Sequence, residues 1–388
     1  MDDFYRENAA LYKKLVDAFD PNATATHFSR HHPAASDRVK PQDCPSDQVS
    51  NAMLVVARIR PMLADDLAER FPCAAYARFD EKTGQSKMID LHNLYNYPYG
   101  PPKLKSTKHN LDIIYSADTT TEAIYNDQVA ELVSLARSGG TGTLFAYGQT
   151  GSGKTYTISK LQELAACSLL DQTSDRSHIE LYITICDLAG NSAFDLLNSR
   201  KPVSILQDAS GEIHLSGAQE RRLPTRAEVL DLLAEAAAFR QTAPTLKNDT
   251  SSRSHSICRI RIKDKTLDAD TPGGLLYLVD LAGSEAARDI VSHGADRMRE
   301  TREINMSLSV LKECIRGRAE GVRNPEKKVH IPVRGSALTR VLKHVFEPGS
   351  ASESKTVVIA CVNPSLADVT ASKNTLRYAE MLRASGQV

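Results

Sequence analysis

The stretch Gly148-Gln149-Thr150-Gly151-Ser152-Gly153-Lys154-Thr155 constrains this chain more than any other. An apolar run, Thr143-Leu144-Phe145-Ala146-Tyr147, leads into it, and a helical pattern from Lys154 to about Leu170 leads out. A buried strand, a glycine-rich turn and a helix in that order make a phosphate cradle. The glycines let the backbone wrap tightly enough for several N–H groups to converge on phosphate oxygens. The helix adds the positive end of its dipole. In such a loop Lys154 reaches the β- and γ-phosphates and the Thr155 hydroxyl ligates Mg2+. An ordinary glycine-rich turn needs neither the strand before it nor the helix after it, so the reading is a nucleotide site.

Bulk composition narrows what surrounds that site. At 388 residues the chain can bury a large core. Lys+Arg and Asp+Glu balance at 48 each, so no global basic field points to nucleic acid, and an acidic partner must be met by a local patch. The seven cysteines are odd in number and scattered, with no Cys-x-x-Cys pair. That favours reduced cytosolic thiols over a disulfide framework or a zinc site. No apolar run approaches membrane-spanning length, and Met1-Asp2-Asp3 is acidic where a signal peptide is basic.

Along the chain, Leu11, Leu15, Ala18 and Phe19 share one face of a short helix over 2–20, and residues 21–50 are polar, linker-like sequence. The first buried strand is Met53–Ala57, running into Arg58-Ile59-Arg60-Pro61. A Tyr/Pro/Lys-rich loop spans Tyr95–Lys108, either a solvated hairpin tip or a basic finger for an acidic partner. Thr119 with Glu122 predicts a capping box for a helix to about Arg137, closed by Gly139-Gly140. Thr225 with Glu228 predicts another, opening a helix through Phe239. Further strands are expected at 179–186, 257–262, 275–279 and 355–362, and helices at about 296–316, 336–346 and 370–383. Asp-Leu-Ala-Gly occurs twice, at 187–190 and 280–283. Only the second follows an uninterrupted apolar strand, so it is read as the phosphate-sensing copy and the first as a turn. Strands alternating with helices and no repeat period give an α/β three-layer domain from about 51 to 385, with 1–50 as a separate N-terminal helix and linker.

This constellation resembles the motor domain of the kinesin superfamily over nearly everything from Met53 to Arg383. The resemblance rests on Arg58–Pro61, Phe145–Thr155, Ser251–His255, Asp280–Glu285, Asn305-Met306-Ser307-Leu308 and Arg377-Tyr378-Ala379, in the family's order. It implies a P-loop NTPase fold with a central, mostly parallel eight-stranded sheet flanked by helices, and a microtubule-stimulated ATPase using ATP/ADP and Mg2+. It implies that Arg58 and Pro61 form an adenine shelf with Tyr156 stacking from the other side, and that Arg60 is a charged neighbour of the nucleotide. Gln149, Thr150, Gly151, Ser152, Gly153, Lys154 and Thr155 would cradle the phosphates. Asn248 and Ser251–His255 resemble switch I, where Ser252 would help hold Mg2+ and the attacking water. Asp280 would bind Mg2+ through water, and the Gly283 N–H would sense the γ-phosphate. Arg253 and Glu285 would bridge to close the site, with Glu285 relaying the water's proton. Because tubulin is acidic, Arg302, Lys312, Arg316, Arg318, Lys327, Lys328, Arg334 and Arg340 are the expected microtubule contacts.

Within the superfamily, Phe194–Asn198, Leu206-Gln207-Asp208, Gln219-Glu220-Arg221 and Leu311–Arg316 look most like the internal-motor, microtubule-depolymerising kinesins. Departures cluster on the filament side. The Lys-Val-Asp finger of that subfamily reads Lys103-Leu104-Lys105-Ser106 here, Met306 replaces a usual lysine, and Val333, Gly335 and Ala337 replace aromatic, acidic and basic residues. The end of the chain soon after its last helix leads us to expect no processive stepping, and a monomer is expected. The balanced charge, scattered cysteines and lack of a spanning run, with the resemblance, lead us to expect a place in the cytoplasm on microtubules, with no nucleic-acid or membrane partner. The competing reading is a microtubule-binding motor fold with little or no turnover. A metabolic kinase or signalling GTPase fits less well, since the guanine-reading Asn-Lys-x-Asp is absent.

Overall fold

A computed structural model of the protein describes residues 2–20, 53–79, 86–173, 178–209, 211–223, 225–242, 253–266, 273–284, 295–324, 326–346 and 353–386. Two short helices come first, α1 (Asp2–Glu7) and α2 (Ala9–Asp17). The single helix expected here is interrupted at Asn8, whose side-chain amide donates to the Phe4 carbonyl at 2.9 Å. The Asn8 backbone N–H also donates to Phe4 O, at 3.2 Å, so that carbonyl is shared between the ladder and the side chain. There follow β1 (Met53–Ile59), α3 (Ala64–Ala68), β2 (Ala75–Phe79), β3 (Ser86–Tyr95), β4 (Lys103–Asn110) and β5 (Ile113–Tyr115). Next are α4 (Thr121–Ile124), a π turn (Tyr125–Val129), α5 (Ala130–Arg137), β6 (Thr141–Tyr147) and α6 (Lys154–Thr173). A run of strands, β7 (Ile179–Ala189), β8 (Ser192–Asp195), β9 (Lys201–Gln207), β10 (Ile213–Ser216) and β11 (Arg221–Arg222), precedes α7 (Arg226–Thr242). The remainder is β12 (His255–Asp264), β13 (Gly274–Asp280), α8 (Ala295–Arg323), α9 (Ala337–Val341), α10 (Lys343–Phe346), β14 (Ser354–Val362) and α11 (Val369–Gly386).

The main sheet runs β10-β9-β8-β7-β12-β13-β6-β14-β1-β5, with β11 paired to β7. The resemblance implies eight strands; among the described residues the sheet has eleven, because β9, β10 and β11 extend it beyond β7 and β8. The ladders β5·β1, β1·β14, β14·β6 and β6·β13 are parallel, and β13·β12, β12·β7 and β7·β8 antiparallel. Alternate residues of each strand feed opposite faces. Val55, Phe145, Val279 and Val358 pack against α8, α9 and α11, while Val56, Leu144, Leu278 and Val357 pack against α4–α7. Three layers result. The helix expected to start on Thr119 is capped instead by Thr120, whose hydroxyl accepts from Ala123 N, and Gly139 (φ +90°) ends it as anticipated. The helix expected over 336–346 is two pieces, with Ser336 capping α9.

A second sheet, β2-β3-β4, lies beside the main one. The Tyr95–Lys108 stretch is a hairpin there: Tyr95 pairs with Lys103, the ladder continues to Asn110, and residues 96–102 form its tip. This sheet and its flanks receive the N-terminal helices. Tyr12 is buried with its hydroxyl donating to Cys73 O at 3.0 Å, and Tyr5 donates to Asn93 Oδ1 at 3.0 Å. The linker expected over 21–50 lies outside the described residues. No helix among the described residues is long and apolar enough to cross a membrane.

Candidate nucleotide site

The turn from β6 into α6 depends on Gly148. At φ +154° any Cβ there would sit 2.4 Å from the Cys361 carbonyl oxygen of β14 and 2.7 Å from Ser152 Oγ, so only glycine lets the loop leave the sheet this close to its neighbour. Three donors then converge on the Gln149 carbonyl, namely Lys154 Nζ at 2.8 Å, Ser152 Oγ at 2.7 Å and Ser152 N at 3.3 Å. The Lys154 ammonium is thereby held inside the cradle at 5% exposure. Arg60 secures the rim, donating through Nε to Gly151 O at 2.7 Å and pairing with Asp66 at 2.6 Å. Its role here is to hold the loop. That pairing keeps the Asp66 carboxyl below its usual range.

Arg58 donates to Thr157 Oγ1 at 2.8 Å, and its guanidinium lies 5.5 Å from the Tyr156 ring centroid. Arg58 and Tyr156, two of the residues expected at the base, therefore stand side by side. Tyr156 is open to solvent, as is Pro61 nearby.

At the end of β13, Asp280 accepts from Thr155 Oγ1 at 2.7 Å and from Arg240 NH1 at 2.6 Å, both on Oδ2. Arg240, near the end of α7, also donates to Ser254 O at 2.9 Å and lies 3.8 Å from Asp187 Oδ1, while Arg200 donates to the other Asp187 oxygen at 2.9 Å. The strand register accounts for this chain of charges. Ser256 of β12 stands opposite Asp187 on one side and Asp280 on the other, so the two Asp-Leu-Ala-Gly copies face each other across one strand. The first copy does turn the chain, at Gly190-Asn191, but its aspartate also faces Arg240, which lines the site. Neither Arg240 nor the role of Asp187 was anticipated; the duplicated motif was the available signal.

The donor set suits Mg2+, which prefers hard oxygens. Thr155 offers a hydroxyl and Asp280 a carboxylate whose Oδ1 is buried with no hydrogen-bond partner among the described residues. A cavity of about 420 Å³ adjoins them, lined by Ile158, Gln162, Leu233 and Arg240 among others. Gly283 is buried one residue before Ser284, whose N–H donates to the P-loop Gly148 carbonyl at 3.1 Å. His255, at the start of β12, is fully enclosed. Burial, then the nearby Arg240 and Lys154, push its imidazole down to about 3. Arg253 immediately precedes this region, whereas Asn248, Ser251, Ser252 and Glu285 lie outside the described residues.

A family model, the kinesin motor domain, matches residues 58–384. The chain belongs to the kinesin family. It is 38% identical over 284 residues to the diatom spindle kinesin-1 of Cylindrotheca fusiformis, covering 72% of this chain and 43% of that protein. It is 34% identical over 281 residues to the kinesin-like protein KIN-13B of Arabidopsis thaliana, covering 70% of this chain and 40% of that one. The chain thus spans about two fifths of the length of these relatives. Among solved structures it is similar to the C-terminal motor and motor homology domain of Kar3Vik1 fused to a synthetic heterodimeric coiled coil. That match has a TM-score of 0.67 and 26% identity, over 85% of this chain and 84% of the other.

In this kinesin domain the expected filament cations separate into two groups. Arg302, Arg316, Lys327, Lys328 and Arg334 are exposed. Lys312, Arg318 and Arg340 are turned inward. Lys312 Nζ lies 4.7 Å from the Tyr378 ring of α11, and burial lowers its pKa. Arg318 donates to Val345 O at 2.9 Å, and Arg340 donates to the Ile205 carbonyl of β9. These three residues hold α8 and α9 to the body of the domain, a role that helical spacing alone does not distinguish from solvent-facing charge.

Proposed function

We propose that the chain is an ATP-hydrolysing motor domain whose grip on microtubules depends on the nucleotide bound. The supporting observation is the junction of Thr155 and Asp280 at 2.7 Å, which joins the phosphate cradle to the strand that runs toward α8. Lys154 and the P-loop N–H groups hold the β- and γ-phosphates; Thr155 and Asp280, with Ser252, would hold Mg2+. When bound, that ion neutralises phosphate charge and fixes the outer phosphate. Ser252 orients a water whose oxygen attacks the γ-phosphorus as the bond to the β-phosphate oxygen breaks. Glu285, with Arg253 as its expected partner, would take the water's proton. ADP and phosphate leave, and the Gly283 N–H loses its acceptor. Placement and charge stabilisation suffice for this chemistry. Release of the two loops then alters the tilt of α8, which carries Arg302 and Arg316 on its exposed side. Tubulin is the acidic partner this face suits.

Phosphate release measured with and without microtubules tests the reading. The expected result is slow turnover that microtubules accelerate and that Lys154→Ala abolishes. Flat, near-zero rates in both conditions would overturn it in favour of a structural microtubule binder.

A further inference from the structure

Three hydrogen bonds run in series from the phosphate-reading loop to the middle of α8. Ala282 N–H donates to His255 Nδ1 at 3.0 Å; His255 Nε2 lies 2.7 Å from Ser307 Oγ; Ser307 Oγ donates to Ile304 O at 2.7 Å. The order of donors is forced. A backbone N–H can only donate, so Nδ1 is the bare nitrogen and Nε2 carries the hydrogen. The Ser307 hydroxyl gives its one hydrogen to Ile304 and accepts from the ring. Every donor and acceptor is used once.

We propose that His255 is a positioning residue that transmits the state of the Ala282-Gly283 loop to α8 through Ser307. The inference rests on the function proposed above and names a route for its coupling. Its strength is rigidity. The imidazole is planar, and its two nitrogens, joined through Cε1, point in widely divergent directions in the ring plane, so a displacement of Ala282 N–H at Nδ1 is delivered to Ser307 at Nε2. Ala282, His255 and Ser307 are 0%, 1% and 2% exposed, which leaves no water to replace a stretched bond. A broken link would strand a buried polar group, so loop and helix move together. Gly283, the expected γ-phosphate sensor, is the next residue after Ala282. On the helix, Ser307 adjoins Met306, which faces solvent at 49% exposure on the same side as Arg302. One turn of α8 thus carries both the inward link and the outward surface.

The test compares microtubule co-sedimentation affinity in a non-hydrolysable ATP analogue with that in ADP. Ser307→Ala removes the acceptor on α8. It should shrink the affinity ratio about three- to tenfold, the range expected for one buried hydrogen bond. Microtubule-free turnover and ADP affinity should stay at wild-type values. His255→Asn retains an acceptor for Ala282 but cannot reach Ser307, and should shrink the ratio similarly, with no further loss in the double variant. Ser307→Thr, which keeps the hydroxyl, should restore the ratio. An unchanged ratio in Ser307→Ala overturns the inference and leaves the proposed function standing. A reduced ratio accompanied by weaker ADP binding also overturns it, since that marks a damaged fold. A wild-type affinity indifferent to nucleotide removes the function and this route together.

Discussion

Replacing Arg240 with leucine tests whether the paired aspartates are held as the structure shows. The guanidinium contacts Asp280 at 2.6 Å and faces Asp187 at 3.8 Å, and both carboxylates are 2% exposed. Leucine fills much of the volume but leaves, among the described residues, Thr155 on Asp280 and Arg200 on Asp187. Removing one partner from a buried ion pair costs about 3–5 kcal/mol. In a chain of this length that corresponds to a fall of roughly 4–6 °C in the unfolding midpoint. Asp280 then lacks a cation, so Mg2+ with ADP should raise the midpoint of Arg240→Leu by more than it raises that of the wild type. Adding Asp280→Asn should recover part of the loss, because it removes the stranded charge. Calorimetric scans of the three proteins, with and without Mg2+ and ADP, measure all of this. A loss below about 1 kcal/mol, the range of a solvated surface pair, would refute the reasoning. So would an equal Mg2+ gain in variant and wild type.

Tyr12→Ala should cost about 3–5 kcal/mol in urea unfolding, since it deletes a ring 1% exposed and its bond to Cys73 O; a loss under about 1 kcal/mol would mean that α2 docks too weakly to count. His255 and His344 have pKa values pushed by burial from 6.5 to about 3 and about 4. The unfolded chain takes up these protons first, so stability is full above pH 6.5 and falls as pH drops toward 4. The fall is roughly 2 kcal/mol per histidine at pH 5. In His344→Gln the urea midpoint should drop less steeply over that range, and an identical slope would refute the assignment. Burial raises the Cys186 and Cys258 thiols from 9.0 to about 12 and Cys361 to about 11. All three should stay unmodified by a thiol reagent at pH 8 in the native state. The stability they contribute should be present below pH 9 and lost as pH rises toward 12.

Several features were legible because neighbours in the chain are neighbours in the structure. The cradle at 148–155 is one example, since strand, turn and helix are contiguous and the glycine spacing states the backbone path. The strands at 53–59, 274–280 and 354–362 appear as apolar runs because both of their faces are buried. Thr225 caps α7 as expected, its hydroxyl accepting from Glu228 N at 3.3 Å. The helix boundary moved by one residue at Thr119 because Thr120 offers an equivalent hydroxyl, and only the backbone path selects between them.

Residue type, order and spacing therefore determined the phosphate cradle, the alternation of strands and helices, and membership of the kinesin family. Tertiary structure decided which distant groups meet. Asp187 and Asp280 are 93 positions apart by their numbers, yet both flank Ser256, because β12 lies between β7 and β13. Arg240 reaches both only because α7 packs over that part of the sheet. Lys312, Arg318 and Arg340 have the residue type of filament contacts, but the rotation of α8 and α9 turns them inward. His255 and Ser307 meet across a strand–helix interface. Local propensity acts over a few residues, whereas strand order and helix rotation are set by how the whole core packs, and these contacts depend on that packing.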